Sequence, residues 1–68
     1  MPFVNIRIVK EVIARDPEGK KAAIAAKVTE AIREATGLTD SDVWVVFEEV
    51  LARDWYLGPK SVEMLRAG

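Results

Sequence analysis

Pro2 is the residue of this 68-residue sequence with the clearest capacity for chemistry. It directly follows Met1, so removal of that methionine would leave a secondary amine at the start of the chain. Such an amine can act as a general base once its pKa, ~7.7 to 8 for an ordinary α-amino group, is lowered towards neutrality. With Met1 attached, the same nitrogen is a tertiary amide without basicity. The alternative interpretation is that Pro2 merely stiffens the chain start or favours methionine removal.

Composition leaves few other routes to catalysis. The sequence has no His and no Cys, which excludes imidazole bases, thiolate nucleophiles and Cys/His metal sites. We therefore expect neither a metal nor another cofactor. Glu48 and Glu49 are neighbours in a predicted strand, so their carboxylates point to opposite faces and cannot form an acid–base pair.

Charge and hydropathy exclude two classes of partner. Ten basic and eleven acidic residues are scattered along the chain and give a net charge of −1, without the basic stripe that nucleic-acid binding requires. No apolar run approaches the ~18 residues of a membrane span. We expect a cytoplasmic protein that binds neither nucleic acid nor membrane.

The elements that must position Pro2 begin with an alternating strand over residues 2–9. A second strand, rich in β-branched and aromatic residues, is predicted over residues 43–47. Two strands joined by a helix form a βαβ unit, whose strands are parallel. One helix covers one face of such a sheet, and the other face carries apolar side chains that would need a partner: Phe3, Val9, Trp44 and Val46.

Capping signals define the helix between the strands. Asp16-Pro17-Glu18 combines an N-cap, a proline at the first helical position and an acidic first turn, and Gly37 fits a C-cap. The predicted helix runs over residues 17–36. The remaining chain predicts a short hairpin or turn that ends in a brief helical piece over residues 61–66.

These elements indicate an α/β (α+β) fold with two parallel strands, one long helix and a short C-terminal hairpin, in one domain over residues 1–68. A chain this small, without disulfides, usually needs a partner for stability, so we expect an oligomer. Arg7 lies on the face that meets the partner. We expect it to pair with Glu48 across that interface, because a buried arginine without a partner is costly.

A proline that opens a strand, the βαβ unit, an arginine just before the helix and an aromatic-glycine tail together resemble the 4-oxalocrotonate tautomerase family over nearly the whole chain. The resemblance implies a tautomerase in which Met1 is removed and Pro2 is the general base, moving a proton on the enol or keto form of a small 2-keto acid. Arg15, after a loop longer by about three residues, would grip a substrate carboxylate. Trp55 would form a wall of the pocket, which backbone near Val9 and Leu57 would line.

Two departures from the family pattern leave alternatives open. Trp44 stands where well-known members carry a second arginine, and Pro59 replaces the second glycine of the tail. Trp44 either adds aromatic surface to the substrate pocket or fills a packing interface. Arg15 is either the carboxylate clamp or a solvated arginine that pairs with Asp16 or Glu18.

The resemblance also concerns assembly. It implies a homo-hexamer, built as a trimer of dimers, or a hetero-hexamer with a related chain. A non-catalytic or half-catalytic subunit of such a hetero-oligomer is the alternative function.

Overall fold

The computed structural model describes residues 2–67, and its centre is a pair of parallel strands. β1 (Phe3–Val9) and β2 (Trp44–Val50) pair without a bulge, from Phe3 opposite Trp44 to Val9 opposite Val50. The predicted parallel pairing is confirmed. β2 is longer than the predicted stretch of residues 43–47 at its carboxyl end. Glu48 and Glu49 remain in the strand despite their charge, opposite Arg7 and Ile8 of β1.

The long helix has the predicted bounds. α1 (Pro17–Thr36) is capped by Asp16, whose carboxylate accepts a hydrogen bond of 3.2 Å from the Gly19 N–H. At the other end Gly37 takes a left-handed conformation with φ of 78° and donates its N–H to the Arg33 carbonyl at 2.8 Å. Both ends of α1 are therefore fixed by local contacts.

Two segments outside the βαβ unit carry the remaining structure. The β1–α1 loop (residues 10–16) contains a 3₁₀ turn, Lys10–Ile13. The tail (residues 51–67) contains a 3₁₀ turn followed by an antiparallel hairpin and a short helix, which confirms the predicted hairpin and helical piece. Its elements are the turn Ala52–Asp54, β3 (Tyr56–Leu57), β4 (Lys60–Ser61) and α2 (Val62–Ala67).

The most deeply buried residues of the described chain lie in these two segments. Ile13 of the β1–α1 loop and Ala52 of the tail are each 2% exposed, and Ser61 is 5% exposed. By contrast, the apolar side chains between α1 and the sheet are only partly buried: Val4, Ile6, Ile8, Ile24, Val28, Ile32, Val45 and Phe47. A single chain therefore has a thin core, which is typical of a subunit that needs partners.

The sheet face opposite α1, here called the outer face, is uncovered. Phe3, Trp44 and Val46 on this face are 65%, 57% and 37% exposed.

Arg7 also lies on the outer face, and its Nη2 is 3.6 Å from Glu48 Oε1 of the same chain. An Arg7–Glu48 pair thus forms within this chain, because the two residues face each other in the β1–β2 register, and the expected pair across an interface stays a prediction. In residues 2–67 no helix is both long and apolar enough to cross a membrane.

Candidate active site

Pro2 lies at the edge of the sheet where both parallel strands begin. It is partly buried, and its carbonyl accepts a hydrogen bond of 3.1 Å from the Trp44 N–H. This bond continues the strand pairing by one residue and fixes the backbone of Pro2 beside Trp44. The predicted removal of Met1 concerns a residue outside the described range.

Arg15 and Val9 lie at the other edge of the sheet. Val9 ends β1, and Arg15 follows in the loop that leads to α1. The rise of ~3.3 Å per strand residue separates the two edges by about 20 Å. Arg15 is exposed. One chain therefore brings Pro2 together with Trp44, and does not bring Pro2 together with Arg15.

Trp55 borders an open cavity of about 550 Å³ on the outer face, near the edge that carries Val9. The cavity is lined by two aromatic residues and three charged ones, together with a valine: Arg7, Glu48, Val50, Asp54, Trp55 and Tyr56. One arginine faces two carboxylates, so the cavity has an excess of negative charge. A second cation would have to enter it before a carboxylate substrate could bind there favourably.

Backbone contacts fix the position of Trp55. Its N–H donates to the Ala52 carbonyl at 3.4 Å, and its carbonyl accepts from the Val62 N–H at 2.7 Å. Leu57 follows in β3 and is 72% exposed. A left-handed Gly58, with φ of 62°, then turns the chain into β4.

The structure adds Tyr56 and Asp54 to the residues that sequence reasoning associated with the pocket. Tyr56 is 60% exposed and shares the cavity with Trp55. The adjacent aromatic pair in the sequence was a signal for this. Asp54 had no such signal, because its place beside the cavity depends on the 3₁₀ turn Ala52–Asp54.

Two carboxyl groups have pKa values below their ordinary range. The pKa of Asp42 is lowered because its carboxylate accepts hydrogen bonds from the backbone N–H and hydroxyl of Thr39. The pKa of Glu49 is lowered mainly by its hydrogen bond with Lys21. Both carboxylates hold structural contacts, at the start of β2 and between α1 and the sheet, and neither lines the cavity beside Trp55.

A larger shallow groove of about 610 Å³ lies on α1, but most of its lining side chains carry no reactive group. It is lined by small side chains of α1 and by three charged residues: Ala22, Ala25, Ala26, Thr29, Glu30, Arg33 and Asp40. Two of the charged residues, Arg33 and Asp40, are paired at 3.1 Å. Among the described residues no group of three or more acidic side chains is arranged to hold a metal ion.

Neither edge of one chain is a complete site for a carboxylate substrate. The starting edge offers Pro2 and the indole of Trp44, while the other edge offers Arg15 and the cavity beside Trp55. Two chains placed with opposite edges together would bring a proline nitrogen near an arginine. The uncovered outer face provides an apolar surface for such an association.

The chain is similar to known proteins in sequence and in fold. The family model described as tautomerase enzyme matches residues 2–64. The probable tautomerase K2 of Dickeya dadantii (strain 3937) is 34% identical over 62 residues, which cover 91% of this chain and 88% of that protein.

Two solved structures share the fold. DmpI from Helicobacter pylori superposes with a TM-score of 0.82 at 27% identity, and the match covers 98% of each chain. A structure from work on the 4-oxalocrotonate tautomerase isozymes of Methylibium petroleiphilum gives a TM-score of 0.75 at 34% identity, covering 94% of this chain and 97% of the other. The match to the family model spans nearly the whole chain and begins at Pro2. The chain belongs to the tautomerase family of enzymes.

Proposed function

We propose that this protein is a tautomerase that converts the enol form of a small 2-keto acid into the keto form, with the nitrogen of Pro2 as general base. The observation that carries the proposal is the position of Pro2. It is partly buried at the start of β1, and its backbone is fixed by the hydrogen bond from Trp44. A base held in this way can be aligned with a bound substrate.

The proposed reaction conserves protons. After Met1 is removed, the neutral prolyl nitrogen takes the hydroxyl proton of the enol. The electron pair of the O–H bond forms the carbonyl, the carbon–carbon double bond shifts, and the prolinium returns a proton to carbon. Enol becomes ketone, and Pro2 is neutral again. An apolar surrounding and a nearby cation would both disfavour the protonated amine and so lower its pKa towards neutrality.

The cation in this proposal is Arg15 of a second chain. Arg15 lies about 20 Å along the strands from Pro2 of its own chain, beyond the reach of a small substrate. We propose that one chain supplies Pro2 and Trp44 and its neighbour supplies Arg15, Trp55 and backbone near Val9 and Leu57. The assembly would be a cytoplasmic homo-hexamer built from dimers of this single domain, or a hetero-hexamer with a related chain.

The test is an assay of enol ketonisation with three proteins of verified intact mass. The first lacks Met1, the second carries Pro2→Ala and also lacks Met1, and the third keeps Pro2 inside a peptide bond through an N-terminal extension. We expect turnover from the first, at least ~100-fold lower kcat from the second, and no turnover above the uncatalysed rate from the third. Equal turnover in the first two would assign the base to another group.

A second candidate function rests on Trp44. An indole offers one N–H and an apolar face, whereas an arginine offers a bidentate contact to a carboxylate. The chain could therefore be a non-catalytic or half-catalytic subunit that completes a hetero-oligomer. A processed homo-oligomer that is inactive alone, but becomes active when a related chain is added, would favour this candidate over the first.

A further inference from the structure

We propose that Glu11 is a positioning residue that holds the tail carrying Trp55 against the loop carrying Arg15. The inference rests on the proposed function, since it concerns the two groups that would contact the substrate's carboxylate and its apolar part. Glu11 itself does not line the cavity beside Trp55.

The contact that carries the inference is a hydrogen bond between residues 41 positions apart. Glu11 Oε1 accepts from the Ala52 N–H at 2.9 Å, in a partly buried position. Ala52 begins the 3₁₀ turn Ala52–Asp54, so its N–H has no carbonyl partner within that turn. The carboxylate of Glu11 satisfies this donor from another segment of the chain.

The same bond leads to Trp55 through two further backbone contacts. The Ala52 carbonyl accepts from the Trp55 N–H at 3.4 Å, and the Trp55 carbonyl accepts from the Val62 N–H at 2.7 Å. Glu11 thus anchors the end of a hydrogen-bonded path whose middle is the backbone of Trp55. A shift of Ala52 would therefore be transmitted to the indole.

Burial around this contact distinguishes it from an ordinary surface interaction. Ile13, two residues after Glu11 in the same loop, is 2% exposed, as is Ala52 itself. Arg15 follows Ile13 after one residue and leads directly to the N-cap of α1. Ile13 is therefore buried within the loop, Glu11 joins the loop to the tail, and Arg15 lies between Ile13 and the N-cap of α1.

Amide hydrogen exchange followed by NMR tests the inference without any substrate. In Glu11→Ala we expect exchange at the Ala52 and Trp55 amides to accelerate by at least about tenfold, with exchange at Ile6 and Phe47 in the sheet nearly unchanged. Glu11→Gln keeps a carbonyl acceptor of the same reach and should restore slow exchange. Glu11→Asp keeps the charge but shortens the side chain. If Glu11→Ala does not fold, Glu11→Asp replaces it and should show the same faster exchange at Ala52 and Trp55. Glu34→Ala, on the exposed side of α1, is the matched control.

Kinetics provide the second measurement. With an active wild type, Glu11→Ala should raise KM by about tenfold and change kcat by less than about threefold, because a misplaced carboxylate clamp weakens binding more than proton transfer. Unchanged exchange at Ala52 would overturn the inference, and so would faster exchange throughout the sheet, which signifies general destabilisation. A wild type without tautomerase activity would contradict the proposed function, while the exchange data would still decide the role of Glu11.

Discussion

Lys21 of α1 and Glu49 of β2 form an ion pair that joins the helix to the sheet. The Lys21 ammonium donates to Glu49 Oε2, and each side chain is 30% exposed. Glu49 follows Glu48 directly, yet the two carboxylates contact different partners, Lys21 on the helix side and Arg7 on the outer face. Strand alternation therefore gives each of two adjacent glutamates a separate structural contact.

The Lys21–Glu49 pair should make stability depend on pH. Its hydrogen bond lowers the pKa of Glu49 in the folded chain below the ordinary value of 4.5. Stability from this group is therefore present above pH 4.5 and is lost as the pH falls through the lower, folded-state pKa. Glu49→Gln should lower the midpoint of thermal unfolding at pH 7, and this difference from wild type should shrink below pH 4.

A double-mutant cycle checks that the loss of stability in Glu49→Gln comes from its pair with Lys21. Lys21→Met should lower the same unfolding midpoint, and adding Lys21→Met to Glu49→Gln should cause little further loss. Additive effects of the two substitutions would contradict the assignment. Glu34→Gln, at an exposed position of α1, controls for the removal of one negative charge.

Mixing two defective variants tests whether the site is shared between chains. In the proposed reaction Pro2→Ala removes the base and Arg15→Ala removes the carboxylate clamp, so we expect each variant to have a low kcat/KM alone. Unfolding both variants together and refolding them at equal amounts would form mixed oligomers. In these, about a quarter of the sites would combine an intact Pro2 with an intact Arg15, if chains assemble at random in a symmetric oligomer.

We expect kcat/KM of the mixture to rise to about a quarter of the wild-type value, measured against the same variants refolded separately. No recovery in verified mixed oligomers would mean that both groups act within one chain or that one of them is dispensable. A mixture of Pro2→Ala with Glu34→Ala is the matched comparison, since every site with an intact Pro2 is then complete.

Trp44 should determine which acids are accepted. Trp44 is 57% exposed, and its backbone N–H donates to the Pro2 carbonyl. A dicarboxylate would leave one charge without a partner there, so we expect enols of monoacids with an apolar or aromatic tail to have the higher kcat/KM. Trp44→Arg adds a charge-assisted contact worth ~1.5 to 3 kcal/mol and should shift the preference towards dicarboxylates by about tenfold or more.

The control for this prediction is Trp44→Phe, which keeps an aromatic ring and should keep the preference for monoacids. The measurement is kcat/KM for one monoacid enol and one dicarboxylate enol with each protein. A wild-type preference for the dicarboxylate would show that another cation near Pro2 already performs the task predicted for an arginine at position 44.

The outer face should be buried by other copies of the chain. Val46 lies on this face and is 37% exposed in one chain. Val46→Asp would place a charge in an apolar interface and should weaken association by at least about tenfold, measured by sedimentation velocity at micromolar concentration. Lys27→Asp, at a position of α1 where the side chain is 84% exposed, is the control and should sediment as wild type does. A stable wild-type monomer would contradict the oligomer itself.

Local signals in the sequence predicted the fold well. The bounds of α1 followed from Asp16-Pro17-Glu18 and Gly37, because caps act through hydrogen bonds between residues only a few positions apart. The parallel pairing of β1 and β2 followed from a helix between two strands. The expected exposure of Phe3 and Trp44 followed from strand alternation.

Contacts between distant segments could not be predicted in the same way. The hydrogen bond from Ala52 to Glu11 has no counterpart in any local pattern, and Ile13 gave no sign that it would be more buried than the apolar residues of β1. The types of the candidate site residues pointed to them in the sequence, but the distance between Pro2 and Arg15 within one chain was not predicted. Pro2 and Arg15 lie at opposite edges of the sheet because the whole of β1 lies between them.

The cap of α1 also restricts how the sequence of this region can change. Asp16 has a left-handed backbone with φ of 59°, a conformation that asparagine, aspartate and glycine tolerate best. A Cβ at Gly19 would lie 2.1 Å from Asp16 Oδ2, so any side chain at position 19 would displace the capping carboxylate. Asparagine at position 16 could keep both this backbone and a capping oxygen, whereas most other residues there, or any side chain at position 19, would lose or displace the cap. Evolution or engineering of this region is therefore restricted, because loss of the cap would alter the backbone directly beside Arg15.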